Sequence, residues 1–106
     1  MNIKWFPVAH QDLNDIYVYY ATKNLRAAAS MHNGIIDEVQ TLENQPYMAP
    51  VEPFLKELSK KIRSLVVSKG RFKVLYFVEN DTIHIIRIWN CKRNPEKLKK
   101  SIKYML

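Results

Sequence analysis

The stretch Arg71–Trp89 reads RFKVLYFV, then END, then TIHIIRIW, two β-rich runs broken by three polar residues of turn type. Phe, Val, Tyr, Ile and Thr suit a pleated, half-buried surface, so the stretch predicts an antiparallel hairpin turning at Glu79-Asn80-Asp81. Strand side chains alternate between faces. That rule sets Phe72, Val74, Tyr76 and Val78 against Arg71, Lys73, Leu75 and Phe77, and it separates Thr82, His84, Ile86 and Ile88 from Ile83, Ile85, Arg87 and Trp89. Neither face is fully polar. The expectation is a sheet covered well on one side and partly on the other, with Arg71, Lys73 and Arg87 emerging where the cover stops.

Outward from the hairpin, Ile62–Ser68 (IRSLVVS) predicts a preceding strand, and Lys69-Gly70 supplies the glycine of a tight turn. The three prolines of Gln45–Pro53 hold an extended linker, and PFLKELSKK allows one helical turn after it. At the start, Asn2–Phe6 (NIKWF) reads as a strand stopped by Pro7. Ala9, Leu13, Ile16 and Tyr20 then recur at helical spacing and predict a helix from about Val8 to Thr22. Asn24 can cap a second helix with the stripe Ala28, Met31, Ile35, Val39 and Leu42, closed by Pro46. The short turn at Lys23-Asn24 folds the two helices into an antiparallel hairpin on the sheet. Gly34, in mid-helix, costs about 1 kcal/mol against Ala; close packing of the first helix would offset it. Downstream, Asn94 and Pro95 predict the cap and first residue of a helix over Glu96–Tyr104, apolar at Leu98, Ile102 and Met105 and basic at Lys97, Lys99, Lys100 and Lys103. The expected fold is therefore a single α+β domain over residues 1–106, in the order β-α-α-β-β-β-α, with the helical hairpin packed on an antiparallel sheet.

Composition narrows the function. A chain of 106 residues supplies one core. Its single cysteine, Cys91, can form neither an internal disulfide nor a metal site, and is read as a free thiol. No apolar run approaches the roughly 20 residues of a membrane helix, and MNIKWFPVAHQDLND contains no signal-peptide core, so a cytoplasmic protein without a membrane partner is expected. Net charge is +7, unevenly spread: residues 1–55 carry three basic against six acidic side chains, residues 56–106 fourteen against four. A block of +10 on so short a segment points to a polyanionic partner, nucleic acid or an acidic protein segment.

The order and spacing of these features resemble the RelE/ParE superfamily, small toxins of bacterial type II toxin–antitoxin systems that include plasmid stabilisation proteins. The resemblance runs through AHQDLNDIYVYYATKN at the first helix and is strongest over RSLVVSKGRFKVLYFVENDTIHIIRIWNCKRNPEKL. There the Arg-x-Leu, basic-aromatic-basic, acidic turn, Ile-x-Ile and Arg-x-Pro features follow in sequence. It implies a growth-inhibiting toxin neutralised by a cognate antitoxin. It also implies one of two targets: DNA gyrase for ParE-like members, or mRNA in the ribosomal A site for RelE-like ones. Two departures weigh against the ribonuclease. The position six after Arg93, where a RelE-like tyrosine is expected, is Lys99, with Tyr104 the nearest tyrosine; and Ser64, Leu65, Val66 and Val67 stand where strand lysines are expected.

RNA cleavage through the 2′-OH needs a base, an acid and a cation on the phosphorane. Arg71 and Arg93 are candidates for the cation, since a planar guanidinium can hold two phosphate oxygens. Proton carriers are poorly placed: His84 falls within a strand, while His10 and His32 fall on helices. No carboxylate pair, metal-ligand cluster or Gly-rich phosphate loop is present, so no cofactor is expected. ParE-like inhibition of gyrase is the first reading. A ribosome-dependent mRNA endoribonuclease is the alternative, and a degenerate, non-toxic binding member is a third. In each, Arg63, Arg71, Lys73, Arg87, Lys92 and Arg93 are the candidates for contact with nucleic acid or target.

Overall fold

The computed structural model describes residues 1–106. Strand β1 (Asn2–Trp5) leads into helix α1 (Pro7–Ala21), helix α2 (Leu25–Gln40) and a 3-10 turn at Thr41–Glu43. After the proline-rich linker and a second 3-10 turn (Pro53–Leu55) come β2 (Arg63–Val67), β3 (Phe72–Glu79), β4 (Thr82–Asn90) and helix α3 (Pro95–Met105). Pro7 occupies the first turn of α1, where a missing N–H costs nothing. Asn24 caps α2 by accepting the Ala27 N–H at 3.0 Å, and Asn94 caps α3 by accepting that of Glu96 at 2.9 Å. Each cap answers a backbone donor that the helix itself leaves unpaired.

The sheet runs β1-β4-β3-β2. Strands β2, β3 and β4 form the expected antiparallel meander, and β1 adds in parallel to β4, Ile3 beside Ile83 and Trp5 beside Ile85, making the sheet mixed. At the β3–β4 turn Glu79 pairs with Thr82, so the loop is the two residues Asn80 and Asp81, at φ 54 and 58. Both belong to the residue types that tolerate the left-handed region such a turn demands. The β2–β3 turn is more strained: Ser68, Lys69 and Gly70 have φ of 52, 55 and 88 in succession. Only the glycine is free of a Cβ penalty there, so Ser68 and Lys69 each carry a cost on the order of 1 kcal/mol.

Strict alternation fails in β4. Leu75 pairs with Arg87 but Tyr76 pairs with Ile85, so Ile86 is an extra, bulged residue. Ile88 consequently does not share a face with Ile86, contrary to the simple reading. Ile83, Ile85 and Ile88 join Val74 and Tyr76 beneath the helical hairpin, packed on Ala9, Leu13, Ile35 and Val39. Ile86 and Trp89 join Leu75 and Phe77 on the opposite face, packed on Leu98 and Ile102 of α3 and on Leu55 and Ile62 of the linker. Burial of each such side chain stabilises by about 1.5–3 kcal/mol. The sheet is thus covered on both faces.

Gly34 corrects a second expectation. A Cβ built there meets nothing within 4 Å, so α1 does not crowd it and its helix cost has no packing offset within the chain.

Candidate basic surface at the open end of the sheet

The six candidate cations separate into two groups. Arg63 donates to the carbonyl oxygens of Ala49 (2.7 Å) and Tyr47 (3.4 Å) and lies over the Tyr47 ring, fastening the linker to β2. The Lys73 ammonium sits 2.6 Å from Glu52, a carboxylate only 4% exposed. Arg87 does not emerge from a break in the cover as expected. Its Nε and Nη2 reach Oδ2 and Oδ1 of Asp12 at 2.8 and 2.9 Å, its Nη1 donates to Ser101, and the same carboxylate accepts the Ile88 N–H at 2.9 Å. This one arginine therefore ties β4 to α1 on one side and to α3 on the other.

Arg71, Lys92 and Arg93 form the second group. All three are exposed, and none has a carboxylate partner. The fold brings them together because the last β3–β4 pair, Phe72 with Asn90, is extended by the Cys91 N–H bonding to the Arg71 carbonyl at 3.0 Å. Asn90 then folds the chain back: its side chain accepts the Lys92 N–H and its carbonyl the Arg93 N–H, both at 2.9 Å. Lys69, in the strained β2–β3 turn, joins the group. Sequence reading treated it only as a turn residue; its left-handed backbone was not visible there, but its sequence distance of two from Arg71 was.

These cations border a groove of about 400 Å³ between α1 and the sheet end, walled by Asp15, Ile16, Tyr19 and Tyr20 on one side and by Lys92 and Arg93 on the other. An adjoining hollow shares Tyr20 and Lys92 and adds Lys69, Arg71 and the Cys91 thiol. The histidines are all elsewhere: His10 stacks on Trp5, His32 meets Tyr17 edge-on, and His84 stacks on Phe77 at 4.7 Å. Tyr104, at the end of α3, is 91% exposed. No group of three metal-ligating side chains occurs. The groups with displaced pKa values lie away from the groove. Glu57 and Glu79 are held below the usual carboxylate range by hydrogen bonds from Lys99 and Lys60, Lys99 is raised by the Glu57 bond, and burial pushes the Tyr76 phenol up.

Comparison with known proteins identifies the family of the chain. Residues 3–95 match the family described as the ParE toxin of the type II toxin–antitoxin system parDE. The chain belongs to the ParE toxin family. A solved structure, from the chromosomal ParDE toxin–antitoxin system of P. aeruginosa, matches at 25% identity with a TM-score of 0.72, covering 85% of this chain and 95% of that one. No curated protein matches. As a ParE family member the chain is a type II toxin, and a cognate antitoxin is its partner. No helix is long and apolar enough to cross a membrane.

Proposed function

We propose that residues 1–106 act as one growth-arresting toxin domain that inhibits DNA gyrase by binding it, and that the antitoxin neutralises it. The observation that supports binding over cleavage is the composition of the basic surface. Its free guanidinium groups can grip an anion, but no histidine stands beside them: all three pack on aromatic rings elsewhere. Phosphoryl transfer through a 2′-OH needs paired proton carriers around the phosphate; tight binding needs only the cations and their fixed geometry.

One observation favours the ribosome-dependent endoribonuclease instead. Tyr20 shares the hollow with Arg71 and Lys92, and its ring lies 5.9 Å from the Arg71 guanidinium, so a phenol and a cation stand side by side. Purified chain in a gyrase supercoiling assay, run beside mapping of mRNA cuts in a translating extract, separates the two. The expected result is blocked supercoiling with intact message. Cuts at the ribosomal A site with unaffected supercoiling would transfer the role to Tyr20, Arg71 and Arg93.

A further inference from the structure

The cations of the second half divide sharply by their partners. Lys60, Lys73, Arg87 and Lys99 each lie within 2.9 Å of a carboxylate oxygen, and Arg63 is held by carbonyls. Lys56, Lys61, Lys97, Lys100 and Lys103 also lack a carboxylate partner but are spread over the segment before β2 and along α3, whereas the unpaired Lys69, Arg71, Lys92 and Arg93 stand on two adjacent segments stapled by the Cys91–Arg71 backbone bond. Neighbouring strands are only about 5 Å apart, so four like charges share one end of the sheet and none of them is in an ion pair. Lys69 adds to the case, because it occupies a left-handed position at φ 55 where glycine or asparagine would sit without strain.

The aromatic rings at this end show how an anion would be held. Tyr19 lies under the Lys23 ammonium (4.6 Å), Tyr20 under Arg71 (5.9 Å) and Trp89 under Arg93 (4.3 Å), and Trp89 is 4% exposed. Each ring already carries a cation. A single strand bound through its bases needs a run of open ring faces to stack on; here Trp89 is buried, Tyr20 is half-buried and Tyr19 alone is exposed, at 57%. An acidic peptide must bring carboxylates into register with fixed cations. Duplex DNA presents one negative charge per about 1.7 Å of axis and satisfies such a cluster from many approaches.

We propose that Lys69, Arg71, Lys92 and Arg93 form a phosphate-binding surface for the backbone of duplex DNA, so that the toxin touches the DNA held by its target as well as the target protein. The relevance of DNA rests on the gyrase reading above; the phosphate surface itself does not. Asp15, on the α1 wall of the groove, marks the boundary of the surface, since a phosphate placed against it would be repelled.

The test is anisotropy of a short labelled duplex titrated with the full-length chain, freed of antitoxin, across a salt series. The expected plot of log K against log salt has a slope of about −3 to −4, since each neutralised phosphate contributes roughly −0.9. Arg71→Ala with Lys92→Ala should flatten that slope by about 2. Lys56→Ala with Lys61→Ala removes the same charge from the linker entering β2 at its far end, and should leave the slope unchanged. Lys69→Gly should melt higher than the parent yet flatten the slope by about 1, a combination that a purely structural lysine would not give. Asp15→Asn should tighten binding. The proposal is overturned by a slope near zero, by equal losses in the two double variants, by single-stranded RNA or DNA binding more tightly than duplex, or by polyglutamate competing as well as DNA at equal charge. The supercoiling assay on the same variants keeps the two readings apart. Gyrase inhibition without DNA binding overturns the phosphate surface alone, and DNA binding without gyrase inhibition overturns the gyrase reading alone.

Discussion

Replacing Arg87 with alanine tests the division between bracing and free arginines. The substitution leaves the Asp12 carboxylate, 13% exposed, facing a cavity with only the Ile88 N–H as a partner, and it frees Ser101 on α3. Breaking a fully buried pair by removing one member costs about 3–5 kcal/mol, because the remaining charge stays desolvated; this pair keeps 13–14% exposure, so the lower end, about 3 kcal/mol, applies. A chain of this size has about 5–15 kcal/mol in total, and each kcal/mol moves Tm by about 4–5 °C. The melting temperature should therefore fall by roughly 12–15 °C, measured by circular dichroism or calorimetry. Replacing both partners by apolar residues, Arg87→Met with Asp12→Leu, should recover only part of the loss: an ion pair exchanged for packed side chains is often neutral, but the Ile88 N–H loses its acceptor at a cost of about 1–3 kcal/mol. An Arg87→Ala protein that melts within about 1 kcal/mol of the parent but no longer arrests growth would refute the reasoning. It would return Arg87 to the target-binding surface.

Arg93→Ala should change stability by no more than about 1 kcal/mol, the size of its stacking on Trp89, while growth arrest on expression is lost and a pull-down still recovers the antitoxin. A variant that unfolds, or one that still arrests growth, removes Arg93 from the surface. Gly34→Ala places a methyl group in open space within a helix and should raise stability by about 1 kcal/mol, read as a higher urea midpoint at unchanged slope; a lower midpoint means that the site is crowded after all. Tyr76 donates its hydroxyl to the Pro46 carbonyl at 2.9 Å, and its pKa is raised by burial. The unfolded chain therefore loses this proton first, so stability is intact below the ordinary value of about 10 and falls as pH rises beyond it. Tyr76→Phe should flatten that alkaline fall while costing about 1 kcal/mol at neutral pH, and an unchanged alkaline limb in a pH series of melts would assign the fall to other groups.

Local chemistry made much of the fold legible before any coordinates. The spacing of Ala9, Leu13, Ile16 and Tyr20, the Asn24 cap, the Asn94-Pro95 start and the Asn80-Asp81 turn each act within a few residues, so their patterns survive in a linear reading. The helix bounds and the element order followed from them, and the family resemblance rested on that same order. Sheet order did not, because β1 pairs in parallel with β4 across some eighty residues, and no local pattern chooses that neighbour. The bulge at Ile86 was hidden for a related reason: an inserted residue is defined only by its partner strand, and β4 taken alone alternates plausibly in either register. Arg87, within a strand, and Arg93, beyond it, were both candidates for the target-binding surface from sequence. Asp12, 75 positions away, is delivered to Arg87 by the packing of α1 on β4, whereas Arg93 lies beyond the last strand pair, where no carboxylate reaches. Charge content is thus written in the chain, but whether a charge is free depends on which distant carboxylate the fold brings within 3 Å of it.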